Sequence, residues 1–111
     1  MDTDRVFELR RYDAVPGKID ALLDRFRNHA APLFEKHGMA NIGFWVELDE
    51  DGKRTETLVY LVAHASREAA QESWASFWDD PEWVAVRTNG EQVTARATSA
   101  FLDPAEFSGL R

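Results

Sequence analysis

The chain contains no cysteine. That excludes disulfides, thiolate nucleophiles and zinc–thiolate sites, and it fits a reducing compartment. It also lacks any run of basic residues: 13 Lys and Arg are scattered among 20 Asp and Glu, giving a net charge of −7. Nucleic acids and anionic membrane surfaces are recognised through clustered positive charge, so neither is an expected partner. No apolar stretch approaches the ~20 residues of a membrane span. The acidic opening Met1-Asp2-Thr3-Asp4-Arg5 does not read as a signal peptide, and a cytoplasmic location is expected. There is no Gly-rich phosphate loop and no defensible Ser-His-Asp order. His29 and His37 fall two helical turns apart, ~12 Å along the axis, and cannot share a metal. A single helix histidine as a haem ligand carries no motif here, so no metal or cofactor is expected.

What is present is enough for one small domain, residues 1–111, with 44% of the chain hydrophobic. Val6 to Tyr12 alternates as a strand does. Ile19, Leu22, Leu23, Phe26, Ala30, Leu33 and Phe34 follow helical spacing, predicting an amphipathic helix from about Pro16 to Lys36. Pro32 inside it predicts a kink, or two abutting helical pieces, near Ala31. Met39 to Leu48 and Thr55 to His64 are rich in β-formers and flank Asp51-Gly52, a hairpin signal. Ser66 is placed to cap a second helix bearing Trp74, Phe77 and Trp78 on one face. Asp79-Asp80-Pro81 stops that helix and starts a short one, Pro81 to Thr88, and Gln92 to Leu102 reads as a fourth strand.

The order βαββαβ predicts an α+β, ferredoxin-like fold: a four-stranded antiparallel sheet with its helices on one face. Alternation divides the strand residues into two sets. Phe7, Leu9, Ile42, Phe44, Val46, Val59, Leu61, Ala63, Ala95 and Ala97 are expected to face the helices. Glu8, Arg10, Tyr12, Asn41, Trp45, Leu58, Tyr60, Val62, His64, Arg96 and Thr98 are expected on the uncovered face. The second set mixes aromatic rings with ionisable groups. Two such faces brought together would hide an apolar patch and enclose a polar-lined cavity.

The candidate site residues come from that set. His64, beside Glu8, is a candidate general base, against the alternative of a strand-end histidine at the rim. Arg10 and Arg96 are candidate anion anchors, against internal ion pairing with Glu8 or Glu47. Tyr12 and Tyr60 can orient a polar substrate or simply fill space, and Trp45 offers a stacking wall. Trp74, Phe77, Trp78 and Trp83 read as helix packing.

Phe7-Glu8-Leu9-Arg10-Arg11-Tyr12 followed by Pro16-Gly17-Lys18 resembles the opening of the NIPSNAP family. Lys36-His37-Gly38 leading to Gly43-Phe44-Trp45, and Phe77-Trp78-Asp79-Asp80-Pro81-Glu82-Trp83, are also similar to that family's patterns. The resemblance covers nearly the whole chain. It implies a dimeric α/β barrel, a homodimer in which two sheets face one another, and for small members of this kind no assigned activity. The combined expectation is a homodimer of unassigned activity that binds a small aromatic or carboxylated molecule at the barrel-facing side of the sheet. Glu8, Arg10, Trp45, Tyr60 and Arg96 are the expected ligand contacts. One alternative is a cofactor-independent monooxygenase, isomerase or lyase with His64 and Tyr12 as catalytic residues. Another is a non-catalytic structural or interaction dimer.

Overall fold

The computed structural model describes residues 5–111. In chain order the elements are β1 (Val6–Ala14), α1 (Ile19–Arg25), a π-helical turn (Phe26–Ala30), α2 (Ala31–Lys36), β2 (Ala40–Leu48), β3 (Arg54–His64), α3 (Arg67–Trp78), α4 (Pro81–Asn89) and β4 (Thr94–Leu102). The strands form one sheet in the order β2-β3-β1-β4, and neighbouring strands run antiparallel. This is the ferredoxin-like α+β arrangement.

Local chemistry sets the element ends. The first helix begins at Ile19, three residues later than Pro16, because Pro16 and Gly17 form a turn. Gly17 takes φ +82°, and its N–H donates to both carboxylate oxygens of Glu56, at 3.0 and 2.9 Å. The disturbance expected at Pro32 takes the form of a widened turn just before it. The Ala31 N–H reaches back five residues to the Phe26 carbonyl. A proline has no N–H, and its ring crowds the carbonyl four residues back, so a wider turn accommodates it. Ser66 Oγ caps α3 by accepting from the Ala69 N–H at 3.0 Å, and Asp80 caps α4 by accepting from the Glu82 N–H at 2.8 Å. The β2–β3 hairpin closes through Asp49, whose side chain accepts from the N–H groups of Asp51 and Lys53.

The sheet faces correct the expectation for β1 and β3. Leu58, Tyr60 and Val62 are buried against Leu22, Phe26, Phe34 and Phe77, so their face is the helix-covered one. Glu8, Arg10, Tyr12 and His64 share it through direct pairing: His64 stands opposite Val6 and adjoins Glu8, while Arg10 stands opposite Tyr60 and Tyr12 opposite Leu58. Phe7, Leu9, Val59, Leu61 and Ala63 take the face away from the helices instead, where Phe7 and Ala63 are nonetheless buried and Leu9 is exposed. Asn41 also turns inward, donating to the Ala31 carbonyl at 2.9 Å. Phe44 and Val46, Trp45, and Arg96 and Thr98 lie on the faces expected of them. Alternation sorts residues into two faces but does not say which face the helices cover. Volume decides: the bulkier set, with Tyr60 at its centre, fills the space beneath three helices. Trp45 lies over Gly43, where an added Cβ would come within 2.5 Å of the indole.

Candidate functional site

Glu8 is the hub of a polar cluster between sheet and helices. It sits mid-β1 on the covered face and is only 2% exposed. One carboxylate oxygen accepts from His64 Nε2 at 2.9 Å and from Trp74 Nε1 at 2.8 Å. The other accepts from Arg10 Nη1 at 2.7 Å. Burial raises the Glu8 pKa, but the bonds from His64, Trp74 and Arg10 outweigh it and hold the carboxyl below its ordinary value. The carboxylate is therefore ionised and fully engaged.

Arg10 extends the network outward. Its second terminal nitrogen donates to the Tyr12 hydroxyl at 3.1 Å, and its guanidinium lies 4.4 Å from the Trp74 ring centroid. Burial alone would lower its pKa; the Tyr60 and Tyr12 oxygens and Glu8 reverse that and raise it. Tyr60 is sealed in the core beside Tyr12 and Phe44, and burial pushes its hydroxyl well above the ordinary value. It stays neutral across the physiological range.

A crevice of about 80 Å³ opens beside the cluster, with Arg10, Tyr12, Phe34, Trp74, Trp78 and Trp83 in its lining. Two lining donors, Arg10 Nε and Trp83 Nε1, are buried without a hydrogen-bond partner among the described residues. Natural proteins rarely leave such groups unpaired, so the crevice is short of acceptors. A larger hollow of about 530 Å³ lies between α1 and α4, with Arg25, His29 and Glu91 in its wall. It is an open surface groove away from the cluster.

Five of the seven sequence-predicted site residues therefore come together: Glu8, Arg10, Tyr12, Tyr60 and His64. They do so on the helix side of the sheet, not on the uncovered side. Trp45, 54% exposed, and Arg96 lie on the opposite face and cannot join them. Arg96 instead shares a polar hollow of about 150 Å³ with Arg11, Asp13 and Thr98. His64 is no rim residue: its side chain is fully buried, and its Nε2–H is committed to Glu8. Trp74 and Trp83, which helical spacing marks as packing, also supply N–H groups to the site. Their sequence signal is that an indole carries a donor which must find a partner when buried.

The other histidines are engaged elsewhere. His29 Nδ1 meets Glu82 at 3.1 Å on the surface. His37 bridges Ser76 and Asp80, its Nε2 2.7 Å from the carboxylate. The Asp80 oxygen that meets His37 also accepts from Lys36, and its other oxygen caps α4, so this Ser76–His37–Asp80 chain works as a tie between helices.

Together these features define a ferredoxin-like protein with a satisfied buried carboxylate and an acceptor-poor crevice under its helices. The NIPSNAP family model matches residues 7–109, and the chain belongs to that family. Among solved structures it is similar to a NIPSNAP family protein of Agrobacterium tumefaciens, at 21% identity and a TM-score of 0.84, over 96% of this chain and 99% of that one. A second Agrobacterium tumefaciens NIPSNAP family protein, of unknown function, gives 22% identity and a TM-score of 0.83 over 100% and 97%. More distant is a Chloroflexus aurantiacus protein provisionally described as an antibiotic biosynthesis monooxygenase, at 17% identity and a TM-score of 0.60 over 96% and 99%. No curated protein matches the chain in sequence. At these identities the solved structures speak to fold alone. No helix among the described residues is long and apolar enough to cross a membrane.

Proposed function

We propose that this NIPSNAP protein is a homodimer that binds a small molecule through a carboxylate or carbonyl group, in the crevice between its sheet and its helices. The observation that carries the reading is the pair of buried, unpartnered donors, Arg10 Nε and Trp83 Nε1, lining one aromatic-walled space. An acceptor-bearing ligand satisfies both, and the rings around them exclude water. Dimerisation is supported by the uncovered sheet face, where Leu9 is 38%, Trp45 54% and Leu102 42% exposed. An apolar sheet face of this kind calls for a covering surface, and a second copy of the same face is self-complementary.

Binding is favoured over catalysis by the state of His64. A general base must reach the proton it abstracts; the Glu8 bond leaves His64 Nδ1 without a partner among the described residues, but the imidazole is fully buried and does not line the crevice. Of the two candidate catalytic residues, only Tyr12 lines the crevice.

Native mass spectrometry of the purified protein, with thermal shifts against a panel of small carboxylates, tests the proposal. A dimer that gains melting temperature from carboxylates is expected. Trp83→Phe keeps the ring but removes one donor, and a lost hydrogen bond of about 1 kcal/mol corresponds to roughly fivefold weaker binding. A monomer at micromolar concentration would remove the dimer. Carboxylate affinity untouched by Trp83→Phe would remove the crevice as the site. Arg10→Ala is the poorer test, because it strands the Glu8 charge in the interior.

A further inference from the structure

We infer that the ligand is an amphipathic anion, with its acceptor head in the Arg10–Trp83 crevice and its apolar body in a recess on the far side of Phe26. The inference rests on the reading that the crevice binds a ligand. A cavity that holds benzene measures about 150 Å³. The crevice, at about 80 Å³, takes a carboxylate but not an aromatic ring. The body of any larger ligand needs an adjoining space.

That space lies between the first helix and the β2–β3 hairpin. It measures about 330 Å³ and is lined by Leu23, Phe26, Arg27, Ala31, Phe44 and Leu58. All but Arg27 are apolar, and Arg27 is exposed and ion-paired with Asp24. The recess thus supplies apolar volume without a buried polar anchor, while the crevice supplies the anchors without the volume. Phe26 lines both. Its ring meets Tyr12 edge-on at 5.4 Å on the crevice side and Phe44 at 6.2 Å on the recess side. The π-helical turn that begins at Phe26 ends in the same division: Ala30 lines the crevice and Ala31 the recess. Such turns are departures from regular helix that recur at functional sites. Here the turn carries the partition between the two halves of one ligand site, and a ligand that spans both must displace the Phe26 side chain.

The test is a titration of the full-length protein with straight-chain alkanoates from acetate to octanoate, read through the indole N–H resonances of Trp74 and Trp83. Affinity is expected to rise about threefold to fourfold per added methylene until the recess is full. Ala31→Leu fills the recess with a good helix former; it is expected to flatten that rise and leave acetate unaffected. Phe26→Leu shortens the partition and is expected to tighten binding of the longer acids only. Trp83→Phe, followed through Trp74, is expected to weaken every acid alike. If acetate binds with Trp83 dependence but longer acids bind no tighter, this inference is overturned and the crevice site stands. A length dependence indifferent to Ala31→Leu, or to Trp83→Phe, overturns it by placing the body or the head elsewhere. If no acid moves either indole resonance, the binding reading itself falls with it.

Discussion

Two tryptophans on neighbouring helices face the same crevice in opposite states. Trp74 donates to an ionised, buried carboxylate, whereas Trp83 donates to nothing among the described residues. Hydrogen bonds to charged groups contribute more than neutral ones, and an unsatisfied buried donor is a cost. Trp74→Phe should therefore destabilise the protein by about 2 kcal/mol, while Trp83→Phe should leave stability within about 0.5 kcal/mol or raise it slightly. Urea denaturation followed by circular dichroism separates them, and equal losses would mean that Trp83 has a partner after all. The sequence made part of this legible. Glu8, Arg10 and Tyr12 alternate on one strand, so pairing β1 with β3 in the observed register gathers them near Tyr60 and His64. It could not show that the Trp74 N–H finds Glu8 while the Trp83 N–H is left without a partner among the described residues. Helical spacing reports which face a residue occupies, not which end of its ring points inward.

Among the elements, Asp80 ties the end of α2 to the start of α4, and His37 extends the tie to α3 through Ser76. Asp80 accepts from Lys36 Nζ at 2.8 Å and His37 Nε2 at 2.7 Å while capping α4 through the Glu82 N–H. The bonds from Lys36, His37 and the Glu82 backbone, in that order, hold its pKa well below the ordinary 3.8. A carboxyl with a depressed folded-state pKa contributes stability above its unfolded value and loses it as pH falls through the folded one. Acid should accordingly loosen this junction only well below pH 4, and Asp80→Asn should remove that part of the acid dependence while lowering stability at neutral pH. Melting temperature measured from pH 7 to pH 2 for both proteins checks this; parallel profiles would refute it. The break at Asp79-Asp80-Pro81 was readable as a stop and restart because the cap and the helix-starting proline are local signals. The Pro32 disturbance was readable only as a disturbance. Whether a proline produces a kink or a widened turn depends on holding Leu33 and Phe34 in phase with the core, which is a tertiary demand.

At the scale of the whole molecule, the sheet separates two surfaces of different character. Its helix side holds the polar cluster and the crevice; its other side exposes Leu9, Trp45 and Leu102. Element order and the hairpin were enough to specify this architecture, but β3 is apolar on both faces, and the ionisable Glu8 and Arg10 on one face of β1 pointed that face away from the helices, whereas the structure buries them beside Tyr60. That outcome makes the two proposed activities independent in space. Leu9→Asp places a charge at the centre of the uncovered face, opposite to and outside the crevice lining. Burying that charge in a sheet-to-sheet interface without a partner would cost several kcal/mol, so sedimentation velocity should find the variant monomeric where the wild type is a dimer. Its Trp83 indole resonance should still respond to carboxylates, because no crevice residue lies on the altered face. Loss of dimerisation and ligand response together, in a variant that keeps its folded circular dichroism spectrum, would mean that the second subunit helps to shape the crevice.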